Sequence, residues 1–225
     1  MTIRTDMTLS FSFELPAAAR GSVSAAFTHT PAPRRIIVAI SDASGAVYGA
    51  RLLQVLRDAP GIESHLMVSS AGWHSIEHEL DLDRDFIEDM ADQVHDLDDV
   101  GSSLASPALA GSAMVIAPCS TATLAALAHG LADNLLTRTA DAMLRERRRL
   151  VLLVRESPLH LTHLRNMISV TEMGGIICPP VPDFCLHPQT VGDIVNDSVG
   201  RVLDLIDVPH QLTPRRADVA LAEAA

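Results

Sequence analysis

One short stretch, Arg34 to Gly49 (RRIIVAISDASGAVYG), constrains the fold of this chain more than any other. It begins with the apolar, mostly β-branched run Ile36 to Ile40, which is typical of a buried strand. Small and polar residues follow at 41–45, and a helical pattern runs from Val47 to about Arg57. The free N–H groups and the dipole of a helix start favour an anion, so the turn predicts a site for a phosphate-bearing ligand. Ser/Gly turns of this kind also occur in α/β proteins for steric reasons alone.

Composition narrows the class of protein. Apolar residues make up 48% of the 225 residues, which is enough for a full core. The formal charge of -11 argues against nonspecific binding to nucleic acid or to anionic membranes. No apolar run approaches the ~18 residues of a membrane-spanning helix. The three cysteines, Cys119, Cys178 and Cys185, fit neither a disulfide framework nor a zinc motif, so we predict no metal site and a reducing, cytoplasmic location.

The pattern along the chain predicts three parts. Residues 1–33 are rich in Ala, Ser, Thr and Pro and show no sustained period, so we predict a flexible N-terminal extension. Strand-like and helix-like segments alternate through residues 34–208, which predicts an α/β domain with a parallel sheet and helices on both faces. Residues 209–225 are polar and Ala-rich and are predicted to be a C-terminal tail. Within the domain, the acidic segment contains a helical pattern at 86–94, to which we assign no function.

Polar residues follow four of the predicted strands. They are Ser41 to Gly45, Ser69, Cys119 to Thr123, and the pair Arg155-Glu156. The carboxyl ends of parallel strands meet at one edge of a sheet, where ligands bind in open α/β folds. Hydroxyls and backbone donors beside a guanidinium and a carboxylate suit a phosphorylated cofactor next to a reacting group.

Four longer motifs resemble the UbiX family of flavin prenyltransferases. They are SDASGAVYGARLLQVL, APCSTATLAALAHG, DNLLTRTADAMLRERRRLVLLVRESPLHLTHLRNM and PPVPDFCLHPQTVGDIV, and they occur in the family's order across residues 34–208. The resemblance implies a three-layer α/β/α, flavodoxin-like fold, bound FMN and a homododecamer. It also implies transfer of a dimethylallyl group from dimethylallyl phosphate to N5 and C6 of reduced FMN. The prenylated FMN would then pass to a UbiD-type decarboxylase.

The resemblance also implies the roles of individual residues. Glu156 and Glu79 match acidic active-site residues, and we group them with Ser44 as catalytic. Glu156 is suited to protonate the departing phosphate or to accept the proton lost from flavin C6. The simpler alternatives are an ion pair with a nearby arginine for Glu156 and a helix-surface carboxylate for Glu79. The FMN contacts would be Asp42, Ala43, Ser44, Ser69, Ser120, Thr121, Ala122, Thr123 and Arg155, and the prenyl-phosphate contacts Arg201, Cys185 and Arg145.

Five positions depart from the family's pattern. Asp42 replaces a glycine, Ser106-Pro107-Ala108 replaces Ser-Gly-Ser, Arg145 replaces a lysine, and Cys185 replaces a phosphate-binding tyrosine. Cysteine is shorter and a weak donor, so one phosphate contact is expected to be missing. The departures leave a second reading open, in which the chain binds FMN but no longer prenylates it, and acts as another FMN-dependent enzyme or as a flavin-carrying partner subunit. A third reading is a structural member of a mixed oligomer. Prenyl transfer ranks first because Ser44, Glu79, Arg155, Glu156 and Arg201 are all present.

Overall fold

A parallel sheet of six strands forms the centre of the computed structural model, which describes residues 33–102, 104 and 113–213. In these residues the strands are β1 (Arg34–Ile40), β2 (Ile62–Val68), β3 (Gln93–His95), β4 (Ala113–Cys119), β5 (Arg149–Val154) and β6 (Ile176–Ile177). Their order across the sheet is β3-β2-β1-β4-β5-β6. After β3, at one edge, the chain returns to the middle of the sheet, where β4 pairs with β1. The boundary between β1 and β4 is the switch point typical of doubly wound folds.

Helices cover both faces of this sheet. They are α1 (Ala46–Arg57), α2 (Ser70–Leu80), α3 (Arg84–Glu88), α4 (Thr121–Ala128), α5 (Leu135–Arg145), α6 (Leu161–Glu172) and α7 (Val191–Leu205). A 3₁₀ turn at Phe184–Leu186 precedes α7. In the described part of the chain, no helix has the length and apolar character needed to cross a membrane.

The alternation of side chains along β1 explains the two cores. Ile36, Val38 and Ile40 belong to the cluster that also contains Leu53 of α1 and Val199 of α7. The intervening residues of β1 face the other side and belong to a second cluster with α4, α5 and α6. Successive residues of a strand point to opposite faces of the sheet, so one buried strand feeds two layers of helices. The predicted three-layer α/β/α, flavodoxin-like fold is thus confirmed.

The prediction of a helix at 86–94 is wrong in its second half. Helix α3 ends at Glu88, and Gln93–His95 forms the edge strand β3, which pairs with β2 from His65↔Gln93 to Met67↔His95. The strand has three residues, and Val94 is exposed, so it lacks the apolar run that marks the buried strands. Residues 1–32 of the predicted extension 1–33, and the departure at Ser106-Pro107-Ala108, lie outside the described residues. Residues 209–213, the start of the predicted tail, lie against α7, where His210 Cε1 would be 2.9 Å from a Cβ on Gly200.

Helix α1 packs against the sheet at a point where only glycine fits. A Cβ on Gly49 would lie 2.4 Å from the carbonyl oxygen of Ala117 and 2.8 Å from Ile40 Cδ1. We expect Gly49→Ala to lower the free energy of unfolding by about 1–3 kcal/mol, because the backbone oxygen cannot move aside as a side chain can. Urea unfolding monitored by circular dichroism measures the change. Gly192→Ala is the control: its Cβ would meet only Thr190 Oγ1 at 3.4 Å, and alanine favours helix. Equal stability of Gly49→Ala and the unmodified chain would contradict this packing.

The β2–β3 edge contains a histidine pair, in which His65 is buried and His95 is half-buried. The rings of His65 and His95 stack with centroids 5.1 Å apart, and His65 Nδ1 lies 2.9 Å from His95 Nε2. Burial lowers the pKa of His65, although the Glu63 carboxylate at 3.7 Å opposes this effect. Burial and then the charge of His65 lower the pKa of His95, against the weaker influence of Asp99. Both rings are therefore held neutral in the folded chain at neutral pH.

Stability is expected to fall as the pH drops below about 6.5, the ordinary histidine pKa. Below that value the unfolded chain binds protons that the folded pair resists, so acid favours unfolding. The stability is fully present above pH 6.5 and is lost progressively as the pH falls toward the lowered pKa values. Urea unfolding at pH 7.5, 6.5 and 5.5 measures this trend, and His95→Gln should flatten it. His74→Gln, at an exposed position on α2, is the control. An unchanged slope for His95→Gln would show that the pair does not carry the pH dependence.

Candidate active site

Three of the turns at the carboxyl edge of the sheet are joined by hydrogen bonds. The buried hydroxyl of Ser41, at the end of β1, donates to the Pro118 carbonyl at 3.0 Å and accepts from the Ser120 N–H at 2.8 Å. The Ser69 N–H, at the end of β2, donates to the Ile40 carbonyl at 3.0 Å. The turns after β1, β2 and β4 therefore form one connected edge. The sequence analysis assigns no separate role to Ser41. Its position directly after a buried strand is the feature that could have indicated one.

The start of α1 already holds an anion that belongs to the protein. Glu79 Oε2, from α2, accepts hydrogen bonds from the Gly45 N–H at 2.8 Å and the Ala46 N–H at 3.0 Å. Gly45 has a φ of 110°, in the left-handed region that favours glycine. The helix-start donors that the sequence offered to a phosphate thus bind a side-chain carboxylate instead.

The environment of Glu79 fixes its charge. Burial alone would raise the pKa of this carboxyl, but the Gly45 N–H, the Ser44 hydroxyl, the Ala46 N–H and the charge of Arg155 outweigh burial and lower it. Glu79 is therefore an ionised group that holds the Ser44-Gly45 turn. The simpler alternative considered from the sequence, a helix-surface carboxylate without a role, does not account for these two hydrogen bonds.

Two serines predicted to bind the cofactor cap the next two helices. Ser69 Oγ accepts from the Gly72 N–H at 2.9 Å at the start of α2. Ser120 Oγ accepts from the Thr123 N–H and donates to Thr123 Oγ1, both at 3.1 Å, at the start of α4. Two capped helix starts therefore point toward the same edge, and each supplies the dipole and N–H groups that favour a phosphate.

The Arg155-Glu156 pair continues this edge after β5. The Arg155 N–H donates to the Cys119 carbonyl at 3.3 Å, and a Cβ on Gly45 would lie 3.1 Å from Arg155 Cδ. The exposed Arg155 side chain therefore passes beside the Gly45 turn. Glu156 is exposed and accepts from the Ser157 N–H at 3.0 Å. No cationic side chain in the described part of the chain lies within ion-pair distance of Glu156, so the ion-pair alternative is not observed.

Asp42 extends into solvent at the same turn. Burial and then the Asp42 charge raise the pKa of the Cys119 thiol, which is therefore a protonated packing group and not a nucleophile. The exposed position removes the steric objection to an aspartate where the family has glycine. Its negative charge remains close to the predicted phosphate site.

A cavity of about 560 Å³ lies beside α7 and contains the predicted donor-binding arginine. Arg201 lines it together with Cys178, and the Arg201 charge partly offsets the burial that raises the pKa of this thiol. Cys185 lines an adjoining cavity of about 210 Å³. The two cavities share Asp183, Leu186, Asp197 and Thr213. Leu153, two residues before Arg155, also lines the larger cavity.

Arg145 is the predicted site residue that the chain does not bring to this edge. It ends α5, four residues before β5 begins, and therefore lies at the amino edge of the sheet. Its Nε lies 2.9 Å from Asp141 Oδ2, and it lines a groove with Leu131 and Glu172. In one copy of the chain, Arg145 and Arg201 do not share a site.

Comparison with known proteins assigns the chain to a family. A profile of the Flavoprotein family matches residues 25–203, which defines the class. The flavin prenyltransferase UbiX of Salmonella typhimurium is 48% identical over 184 residues, which cover 81% of this chain and 97% of that relative. The chain belongs to the UbiX family of flavin prenyltransferases.

Two crystal structures agree with this assignment. AnUbiX in complex with FMN and dimethylallyl pyrophosphate is 42% identical, with a TM-score of 0.79 and coverage of 81% of this chain and 97% of that one. A dodecameric, FMN-dependent UbiX-like decarboxylase from Escherichia coli O157:H7 is 40% identical, with a TM-score of 0.78 and coverage of 80% and 98%. The resemblance found in the sequence motifs is therefore confirmed over most of the chain.

Proposed function

We propose that this protein is a flavin prenyltransferase that joins a dimethylallyl group, taken from dimethylallyl phosphate, to N5 and C6 of reduced FMN. The observation that carries the proposal is the edge where the helix starts of α2 and α4, Arg155 and the Glu79-bound turn come together. The similarity to AnUbiX, which binds FMN and dimethylallyl pyrophosphate, supports it. No comparison favours a flavin-binding protein without this activity.

The donors at the carboxyl edge fit FMN. Two helix starts and an exposed guanidinium suit a phosphate monoester, and the hydroxyls and N–H groups of the turns suit the polar edge of a flavin ring. When bound, reduced FMN supplies the nucleophilic N5 and C6 atoms to which the prenyl group becomes attached. The residues that would hold it are Asp42, Ala43, Ser44, Ser69, Ser120, Thr121, Ala122, Thr123 and Arg155.

The cavity beside α7 suits the prenyl donor. Arg201 offers a guanidinium that can form two parallel hydrogen bonds to a phosphate. Leu153, Ile177 and Val181 supply apolar walls for a five-carbon chain. The departing phosphate gains negative charge as the carbon–oxygen bond breaks, and a fixed cation stabilises that charge. Cys185 would add only a weak S–H donor from the adjoining cavity.

The two glutamates have different roles in this proposal. Glu156 is exposed, and among the described residues only the neighbouring N–H of Ser157 binds it, so its carboxylate is available to take up the C6 proton or to protonate phosphate. Glu79 accepts hydrogen bonds from the N–H groups of Gly45 and Ala46 and stays ionised, so it positions Ser44 and the turn before α1. Ser44 would then present its hydroxyl to the flavin.

Arg145 can reach a prenyl phosphate only from a second copy of the chain. It lies at the amino edge of the sheet, whereas Arg201 and the strand ends lie elsewhere. We propose that the protein assembles as a homododecamer, as the relative from Escherichia coli O157:H7 does. We also propose that it acts in the cytoplasm, where its free thiols would stay reduced, and supplies prenylated FMN to a UbiD-type decarboxylase.

Release of inorganic phosphate tests the donor half of the reaction. The protein is incubated without oxygen with dimethylallyl phosphate, with and without reduced FMN, and phosphate is measured over time. The proposal predicts phosphate release that requires reduced FMN and stops at one phosphate per flavin. Equal release without flavin would identify a phosphatase, and absence of release would contradict the proposed function.

A further inference from the structure

The cavity beside α7 is lined by a buried hydroxyl that makes no hydrogen bond to any described residue. Ser198 is 7% exposed, lines the cavity of about 560 Å³, and has a buried, unpartnered Oγ. A serine inside a helix often bonds to the carbonyl four residues earlier, but Ser198 does not bond to that of Ile194. A buried polar group without a partner costs free energy, so its presence points to a ligand or a functional role.

Ser198 and Arg201 lie together on α7. They are three positions apart, a spacing that makes two side chains neighbours on the surface of a helix. Both side chains line the same cavity. A guanidinium can form two parallel hydrogen bonds to a phosphate, and a hydroxyl can donate to a further phosphate oxygen. The pair therefore has the donors that a phosphate monoester requires.

The negative groups of the cavity favour the same place for a phosphate. Three carboxylates line the cavity, those of Asp183, Asp197 and Asp204. Asp204 Oδ1 lies 3.3 Å from Nε2 of His210, another lining residue. Carboxylates repel a phosphate dianion, so a phosphate is best held where Arg201 and Ser198 lie together.

The Ser198 hydroxyl can turn toward a ligand without losing a bond. A serine side chain has three staggered positions about its Cα–Cβ bond, and Oγ has no partner to give up. Thr213 also lines the cavity, but it is only half-buried, so its hydroxyl can bond to water. Cys185, in the adjoining cavity, has only a weak S–H donor. Ser198 is therefore the neutral donor that gains most from a bound phosphate.

We propose that Ser198 binds the phosphate of the prenyl donor together with Arg201, and that it sets the affinity for the donor. Its hydroxyl donates to a phosphate oxygen that is negatively charged both before and during cleavage of the carbon–oxygen bond. An interaction made equally in both states lowers KM and leaves kcat unchanged. The identity of the ligand rests on the proposed function, whereas the buried, unpartnered hydroxyl beside Arg201 does not.

The test is the donor kinetics of the unmodified full chain, Ser198→Ala and Ser198→Cys. Phosphate release at saturating reduced FMN gives KM and kcat for dimethylallyl phosphate. We expect Ser198→Ala to raise KM about 10- to 100-fold, the effect of losing a hydrogen bond to a charged group, with kcat nearly unchanged. Ser198→Cys keeps a similar size with a weak donor, so its KM should rise nearly as far. An unchanged KM, or a fall in kcat alone, would overturn the proposal.

The matched control is Thr139→Val. Thr139 Oγ1, on α5, is also buried without a partner among the described residues, but Thr139 lines neither cavity on the donor side. This variant should keep the KM of the unmodified protein. Urea unfolding without ligand checks the premise: Ser198→Ala should be at least as stable as the unmodified chain, because no bond is lost and alanine favours helix. A clear loss of stability would identify a structural partner for the hydroxyl and overturn the proposal.

A binding measurement separates this inference from the proposed function. The thermal midpoint of unfolding is measured at saturating oxidised FMN, with and without inorganic phosphate. Phosphate should raise the midpoint of the unmodified protein more than that of Ser198→Ala. This result without any prenyl transfer would refute the proposed function and keep the phosphate site. Normal transfer with equal stabilisation and equal KM in both proteins would keep the function and refute the role of Ser198.

Discussion

Replacing Arg201 by leucine is expected to lower the rate of prenyl transfer by about 10²- to 10³-fold. The guanidinium is the cation that lines the cavity proposed for the donor, and leucine keeps much of the side-chain volume without the charge. FMN affinity should stay within a few-fold of the original value, because the proposed flavin contacts lie on the turns after β1, β2, β4 and β5. The transfer rate is measured from phosphate release under anaerobic conditions, and FMN affinity from quenching of flavin fluorescence.

Arg57→Leu provides the matched control for this variant. Arg57 is an exposed arginine at the end of α1, at the opposite edge of the sheet from the strand ends proposed to form the site. The control should retain full activity. A loss of FMN affinity equal to the loss of rate in Arg201→Leu would show that the arginine supports flavin binding, and normal transfer would remove it from the mechanism.

Replacing Glu156 by glutamine is expected to lower transfer by about 10²- to 10⁴-fold, the usual contribution of a general acid or base. Glutamine keeps the size of the side chain and can still accept the hydrogen bond from the Ser157 N–H. It cannot take up or release a proton at neutral pH, so binding should persist while chemistry slows. Single-turnover transfer with saturating flavin and donor measures the chemical step.

Glu146→Gln is the control for this substitution, since Glu146 is an exposed glutamate that follows α5 at the far edge of the sheet. It should have no effect on transfer. Undiminished single-turnover transfer in Glu156→Gln would exclude Glu156 as the proton-transfer group. Ser44 would then be the next residue to test, because Glu79, the third predicted catalytic residue, stays ionised.

The sequence predicts the site wherever local pattern decides the structure. Ile36–Ile40 is apolar because both faces of β1 are covered, and the same reasoning finds β2, β4 and β5. Each of these strands ends in small or polar residues, so their meeting at one edge follows from parallel pairing alone. This reasoning does not find strand β3, because β3 lies at the sheet edge, is three residues long and shows no clear alternation of apolar and polar residues.

The features of the site that the sequence does not predict depend on contacts between distant parts of the chain. The Glu79 carboxylate binds Gly45, 34 positions earlier. No local pattern shows that this side chain occupies the helix start that was predicted to bind a ligand's phosphate. The position of Arg145 is also non-local, because the direction of α5 places it at the amino edge. The resemblance to the family names the residue but gives no indication of which copy of the chain supplies it.

The departures from the family's pattern have separate structural consequences. Asp42 is exposed, so its bulk is accommodated, while its charge remains near the turn. Cys185 is exposed on the 3₁₀ turn and lines the cavity next to that of Arg201, so the missing tyrosine leaves room on the donor side. Neither change alters the core or the three joined turns. Among the described residues, the three joined turns proposed for FMN keep their hydrogen bonds, and Cys185 lies beside the cavity proposed for the prenyl phosphate.

The most direct test of the proposed function is the mass of the flavin after reaction. The protein is incubated without oxygen with reduced FMN and dimethylallyl phosphate, and the extracted flavin is analysed by mass spectrometry. The proposal predicts a gain of one dimethylallyl unit, which would show that Asp42 and Cys185 are tolerated at a working site. FMN recovered unmodified, with dimethylallyl diphosphate tried as well, would contradict prenyl transfer and identify a flavin-binding relative that serves another role.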